Sequence, residues 1–127
     1  MDLKEIIIQT IKERGPVSFR DFMDMALYYP ELGYYSSLKP AIGKRGDFFT
    51  SPYISGAFGA MIGRQLEEIW KQCSGKFTIV EFGAGSGLLC HDILEYLKCN
   101  PEIYQNIQYI IIEKSAALRQ QSERYLS

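Results

Sequence analysis

Between Phe77 and Leu97 the chain changes character twice, and that change limits what it can fold into. Phe77-Thr78-Ile79-Val80-Glu81-Phe82 is short, apolar and rich in β-branched residues, which reads as a buried parallel strand. Gly83-Ala84-Gly85-Ser86-Gly87 follows as a turn. From Leu88 to Lys98 the apolar residues Leu89, Ile93, Leu94 and Leu97 then recur at helical spacing. A second apolar run, Tyr109-Ile110-Ile111-Ile112, ends at Glu113, and Ser115 is placed to cap a last helix carrying Leu118 and Tyr125. Strand, glycine turn, helix, strand, helix is the opening of a doubly wound α/β fold.

Upstream the signals are helical. Leu3, Ile6, Ile7 and Ile11 share one face, and Gly15-Pro16 ends that helix. Ser18 is placed as the N-cap of a second helix, with Phe22, Met25, Ala26 and Tyr29 on its apolar side and Pro30 as its stop. Residues 31–50 read as a loop. It is too rich in Tyr and Phe for a solvated linker, so it is expected to pack on something. Ser51-Pro52 then reads as a helix start, with Ser51 as N-cap. The stripe Ile54, Phe58, Met61, Ile62, Leu66, Ile69 and Trp70 carries that helix to Gly75. Gly56, Gly59 and Gly63 inside it point to close approach, either of a ligand or of another helix. Pro101 is expected to break the chain, and Cys99–Gln108 reads as an insertion between helix and strand. The division implied is a helical extension over 1–75 and a Rossmann-like unit over 76–127.

Composition excludes several classes. Hydrophobic residues at 46% and charged residues at 23% describe a globular chain, and a net charge of -1 argues against nucleic acid or an anionic membrane as partner. No apolar run approaches the ~20 residues of a membrane helix. Cys73, Cys90 and Cys99 lack disulfide or zinc spacing and read as small apolar fillers. The N-terminus Met1-Asp2-Leu3-Lys4-Glu5 has no basic n-region, which points to a soluble cytoplasmic protein. His91, the one histidine, has no metal partner at ligand spacing and reads as a surface or capping residue. No Ser/His/Asp arrangement suggests a nucleophile.

The spacing of the glycines selects among ligands. A dinucleotide fingerprint needs a third glycine at position 88, where this chain has Leu88. It has Gly83-x-Gly85-x-Gly87 instead, with Glu81 two residues before, which is the motif of Rossmann-like methyltransferases. The cofactor there is S-adenosyl-L-methionine (SAM), which has an amino-acid end and no pyrophosphate. Glu113, at the carboxyl end of the second strand, is placed to accept hydrogen bonds from both ribose hydroxyls. It lies 30 residues after Gly83, beyond the ~20 of a compact βαβ unit, and the insertion accounts for the excess. Two plainer readings stand beside these: a turn that serves packing alone, and a Glu113 that is a solvated strand end. The cluster Lys39, Lys44 and Arg45 reads as a solvated loop, or as a site for a carboxylate or phosphate.

Four blocks in order resemble one family. They are Phe22 to Tyr35, Ile42 to Ser55 with Phe58-Gly59 after it, Val80 to Gly87, and Ile112 to Arg119. Together they resemble the MidA family of SAM-dependent methyltransferases, relatives of the mitochondrial complex I assembly protein-arginine methyltransferase. The resemblance implies a helical N-terminal extension followed by the first βαβα portion of a Rossmann-like SAM-dependent fold, truncated in this chain. It implies cofactor contacts at Glu81, Gly83, Ala84, Gly85, Ser86, Gly87 and Glu113. It sets a cofactor and substrate mouth at Gly46, Phe48, Thr50, Ser51 and Pro52, with Asp47 as candidate base and a protein side chain, arginine in relatives, as acceptor. The chain departs from the family at Tyr53, where Glu is usual, and at Tyr29, where His is frequent; the first puts arginine specificity in question. A chain of two strands is expected to be inactive alone and to self-associate over its uncovered sheet. Two other functions compete: a non-catalytic binding or assembly module with an incomplete cofactor site, and a dinucleotide-binding protein, which Leu88 disfavours.

Overall fold

The computed structural model describes residues 1–37 and 50–127. The element order is α1 (Leu3–Arg14), α2 (Phe19–Tyr28), α3 (Ser51–Ile54), α4 (Ala57–Cys73), β1 (Phe77–Phe82), α5 (Leu88–Leu97), α6 (Pro101–Asn106), β2 (Ile107–Ile112) and α7 (Ala116–Leu126). β1 and β2 pair in parallel, with Phe77 opposite Ile107 and Phe82 opposite Ile112. This is a mixed α/β arrangement with the crossover through α5 and α6.

Local chemistry sets most of the helix ends. Asp2 caps α1 by accepting from the Glu5 N–H, and the Glu5 side chain returns the bond to the Asp2 N–H. Gly15 closes the same helix at φ 84°, a conformation that disfavours a β-carbon. Ser18 caps α2, Asn100 caps α6 and Ser115 caps α7, each accepting a backbone N–H of its helix.

The core is small. Trp70, Ile93, Leu97 and Ile103 are buried, with Leu66, Phe77, Ile79, Tyr96, Ile107 and Tyr109 against them. Trp70 also donates its indole N–H to the Gly75 carbonyl at 2.8 Å, which satisfies the polar end of a buried ring. Strand alternation points Phe77, Ile79, Ile107 and Tyr109 toward α4 and α5. Val80, Phe82, Ile110 and Ile112 point the other way and stay exposed, Phe82 at 76%. The first strand, expected to be buried, is therefore covered on one face only.

Four further expectations are corrected. The single helix read from Ser51 to Gly75 is two, because Ser55 is extended and Gly56 becomes the N-cap of α4; the cap of α3 is Thr50, one residue before Ser51. The buried side of α4 takes in only the end of the large apolar stripe, at Leu66 and Trp70. Ile54 and Met61 are 70% and 71% exposed, while Gly59, Gly63 and Trp70 are buried. A β-carbon on Gly59 would lie 2.4 Å from the Asp92 Cβ, and one on Gly63 2.8 Å from the Tyr96 ring. The glycines therefore serve helix–helix approach, one of their two readings. Pro101 starts α6 rather than breaking the chain, as fits a residue with no N–H at a first helical position, and β2 begins at Ile107. Of the three cysteines only Cys90 is a buried filler; Cys73 and Cys99 are exposed.

Candidate functional site

The site forms at the carboxyl ends of the two strands, where β1 passes into the glycine turn. Gly83, Gly85 and Gly87 all take positive φ, at 69°, 58° and 83°. The Gly83 N–H bonds the Ile112 carbonyl at 2.8 Å and so continues the β1–β2 ladder into the turn. A β-carbon on Gly83 would meet nothing within 4 Å among the described residues; one on Gly87 would meet Ser122 and Leu126 of α7 at 3.1 and 3.2 Å. Gly83 thus faces open space, while Gly87 lets α7 pack closely.

Glu113 ties the second strand to the turn. Its Oε2 accepts the Gly85 N–H at 3.2 Å, and its Oε1 accepts the Ser115 N–H at 2.9 Å. A carboxylate has roughly four acceptor positions, so about two remain for a ligand. Arg119 holds the backbone behind it by donating to the Glu113 carbonyl at 2.7 Å.

Two adjoining cavities flank the turn. One, of 310 Å³, is bounded by Glu113, Gly83, Ala84, Gly85 and Leu118, with Tyr28, Tyr35, Thr50 and Tyr53 opposite. The other, of 390 Å³, is bounded by Glu81, Phe82, Gly83, Ala84 and Ser86, with Thr50, Ser51, Pro52, Tyr53 and Phe58 opposite. Glu81 is half-buried there and accepts the Tyr109 O–H at 2.8 Å. Burial pushes its carboxyl above the ordinary range, and the Tyr109 hydrogen bond opposes that in part. Burial beside the same carboxylate raises the Tyr109 phenol and takes the Cys90 thiol to about 12.

Three long-range tethers draw the upstream segment over the turn. Tyr53 and Ser86 share a hydroxyl–hydroxyl hydrogen bond of 2.6 Å. Ser115, almost fully buried, donates its hydroxyl to the Tyr35 carbonyl at 2.6 Å while it caps α7. Lys114 pairs with Asp24 and lies 4.2 Å above the Tyr28 ring. Of the aromatic loop read over 31–50, Tyr35 packs on the Tyr28 ring of α2 and meets Ser115 through its carbonyl, while residues 38–49 lie outside the described residues.

Glu81, Gly83, Ala84, Gly85, Ser86, Glu113, Thr50, Ser51 and Pro52 are thus brought together around the two cavities, and Gly87 is turned toward α7. Asp47, Gly46 and Phe48 lie outside the described residues, as do Lys39, Lys44 and Arg45. Sequence reasoning missed Tyr28, Tyr35, Ser115 and Leu118 as neighbours of the site, and read Tyr53 only as a departure. The density of tyrosine before Ser37 and at Tyr53 was the available signal. His91 is partly exposed, against Asp92 at 3.1 Å and the Tyr125 ring. Among the described residues no group of three or more His, Cys, Asp or Glu could hold a metal ion, and no helix is long and apolar enough to cross a membrane.

An acidic acceptor at the end of β2, a turn with no β-carbon at Gly83 and a cavity on either side fit a nucleoside ligand without pyrophosphate. Comparison with known proteins agrees. Residues 61–127 match the family model described as "Putative S-adenosyl-L-methionine-dependent methyltransferase". The mitochondrial protein arginine methyltransferase NDUFAF7 of Homo sapiens is 38% identical over 91 residues, 69% of this chain and 20% of that protein. The Drosophila melanogaster homolog is 37% identical over 89 residues, 68% of this chain and 20% of its own length. The Caenorhabditis elegans homolog is 30% identical over 98% of this chain and 30% of its own length. A crystal structure from Burkholderia thailandensis, bound to S-adenosyl-homocysteine, superposes with a TM-score of 0.78 at 27% identity, over 98% of this chain and 33% of that one. The chain spans about a fifth of the length of the first curated relatives it matches. Those relatives are mitochondrial proteins, which overturns the cytoplasmic expectation; charge near Met1 reports on local sequence and does not fix where a protein works. The chain belongs to the family of S-adenosyl-L-methionine-dependent methyltransferases described by the matching model.

Proposed function

We propose that this chain forms the cofactor-binding portion of a SAM-dependent methyltransferase acting on a protein side chain. The carrying observation is the Glu113 carboxylate, held by the Gly85 and Ser115 N–H groups at the rim of a cavity that the glycine turn lines. Glu113 would accept the ribose hydroxyls. Gly83, Ala84 and Gly85 would let the cofactor lie against bare backbone, and Glu81 and Ser86 would line its far end. When bound, SAM supplies an electrophilic methyl group. The chain's share is to hold and orient the cofactor and to exclude water through Tyr28, Tyr35 and Tyr53. The names of the relatives support a protein arginine as acceptor. Thr50, Ser51 and Pro52 would stand at the mouth with Gly46, Asp47 and Phe48, and Asp47 would act as base.

Calorimetric titration with S-adenosylhomocysteine and with NAD tests the cofactor role. The first ligand is expected to bind and the second not to, and Glu113→Ala is expected to weaken the first about tenfold or more. Binding of NAD alone would refute the assignment.

One observation favours the second reading, a binding or assembly module. Val80, Phe82, Ile110 and Ile112 leave the outer face of the sheet apolar and exposed. Self-association over that face would cover it. Light scattering that shows a dimer, and a monomer for Phe82→Lys, would support this; a monomeric parent chain with a sharp unfolding transition would refute it.

A further inference from the structure

The two cavities beside the glycine turn share Thr50, Tyr53, Gly83 and Ala84, and of these only Tyr53 carries a large side chain. Tyr53 lines both, while Ser86 lines only the cavity that also holds Glu81, and Glu113 lines only the other. If the sugar of the cofactor sits at Glu113, as proposed above, the rest of the molecule past the sulfur passes Tyr53 into the Ser86 cavity. That remainder is an α-amino acid, with one ammonium and one carboxylate.

The Ser86 cavity offers a partner for each. Glu81 is an acceptor; the Tyr109 O–H occupies its Oε2 and leaves Oε1. The donor is the hydroxyl pair of Tyr53 and Ser86. At 2.6 Å the two oxygens share one hydrogen, and whichever group donates it, the pair keeps one O–H for a third partner. Beside them α5 starts after its N-cap Gly87, which has no side chain, and among the described residues no side chain caps that positive helix end.

We infer that Tyr53 is a specificity-determining residue: with Ser86 it holds the carboxylate of the cofactor's amino-acid end, opposite Glu81, which faces the ammonium. The inference rests on the cofactor reading and extends it to the orientation of the ligand. It also gives Tyr53 a role that depends on its hydroxyl as well as its ring.

Two ligands separate the ends of the cofactor. S-adenosylhomocysteine carries the amino-acid end, and 5′-methylthioadenosine has the same nucleoside and sulfur without it. Both are titrated calorimetrically into the 127-residue chain, into Tyr53→Phe and into Ser86→Ala. Tyr53→Phe keeps the ring and is expected to lower S-adenosylhomocysteine affinity about tenfold, the loss of one hydrogen bond to a charged group. Its affinity for 5′-methylthioadenosine is expected to be unchanged. Ser86→Ala removes the same bond from the other side and is expected to give the same pattern, which keeps the test available if one variant folds poorly. Equal weakening of both ligands would make Tyr53 a structural prop, and no weakening of either would remove it from the site; each result overturns the inference and leaves the cofactor reading standing. A parent chain that binds neither ligand would overturn both.

Discussion

Replacing Gly59 with alanine is expected to destabilise the fold, although alanine is the better helix former. In an exposed helix interior the change would gain about 1 kcal/mol. At Gly59 the new β-carbon would lie 2.4 Å from the Asp92 Cβ and 3.3 Å from two Asp92 backbone atoms. Carbon atoms rest at roughly 3.5–4.0 Å, so α4 and α5 would have to part by about 1 Å. A rotamer change at Asp92 cannot relieve the contact, because Cβ and backbone move only with the helix. Such overpacking costs about 1–3 kcal/mol, and the separation also loosens Trp70 and Leu66 against Ile93 and Leu97 further along the same pair. The net expectation is a loss of about 1–2 kcal/mol, or about 4–8 °C in Tm for a domain of this size. Gly56→Ala is the control. It lies one turn earlier at φ −61°, its β-carbon would meet Asp92 Oδ2 at 3.4 Å, and it should stay within about 0.5 kcal/mol of the parent. Thermal unfolding followed by circular dichroism measures both. If Gly59→Ala melts at or above the parent, the glycines of α4 are not there for close approach, and their packing role is refuted.

Three further outcomes follow from burial. Leu97→Ala and Ile103→Ala each empty a fully buried position in a small core and should cost about 2–5 kcal/mol, enough to abolish a cooperative melt by circular dichroism. Burial holds the Glu81 carboxyl above its ordinary value of 4.5, so the folded chain binds that proton more tightly than the unfolded chain does. The Glu81 contribution to stability is therefore most favourable at or below pH 4.5 and falls as pH rises through the raised value. Glu81→Gln should accordingly gain in Tm over the parent with rising pH, and a constant difference across that range would refute the shift. Cys73 and Cys99 should react with a thiol reagent in the folded protein, whereas Cys90, buried and with its thiol at about 12, should react only after denaturation.

The parts legible in the sequence are those set by neighbours along the chain. The first strand, the turn after it and the caps at Ser18 and Ser115 depend on spacings of a few residues, and the structure places them as read. What failed depended on distant partners. Ile54, Met61 and Ile69 advertise burial by their size, yet α4 turns Gly59 and Gly63 toward α5, because two helices approach closely only where side chains are small. Periodicity weighs large apolar residues and is blind to a glycine seam. Tyr53 and Tyr35 reach the site through partners 33 and 80 residues away, Ser86 and Ser115, and no local pattern encodes such pairs. Pro101 reads as punctuation within the chain, but the same missing N–H suits it to open α6.

The glycine turn itself is more specific than its spacing suggests. A glycine turn that leads into a helix commonly offers free N–H groups to a ligand. In the structure the three glycine N–H groups are already bonded: Gly83 to the Ile112 carbonyl, Gly85 to Glu113, and Gly87 to the Ala84 carbonyl at 3.0 Å. What the glycines contribute is therefore shape. Positive φ at each would cost a residue with a β-carbon on the order of 1 kcal/mol, and these bonds hold the turn in that form before any ligand arrives. Gly83 spends its missing side chain on open space beside the cavities, and Gly87 spends its own on α7. A β-carbon at 83 should therefore weaken the ligand more than the fold, beyond its φ cost, and one at 87 the fold more than the ligand. One motif thus joins two functions, a surface for the cofactor and a seat for the helix whose cap, Ser115, donates to the Glu113 carboxylate.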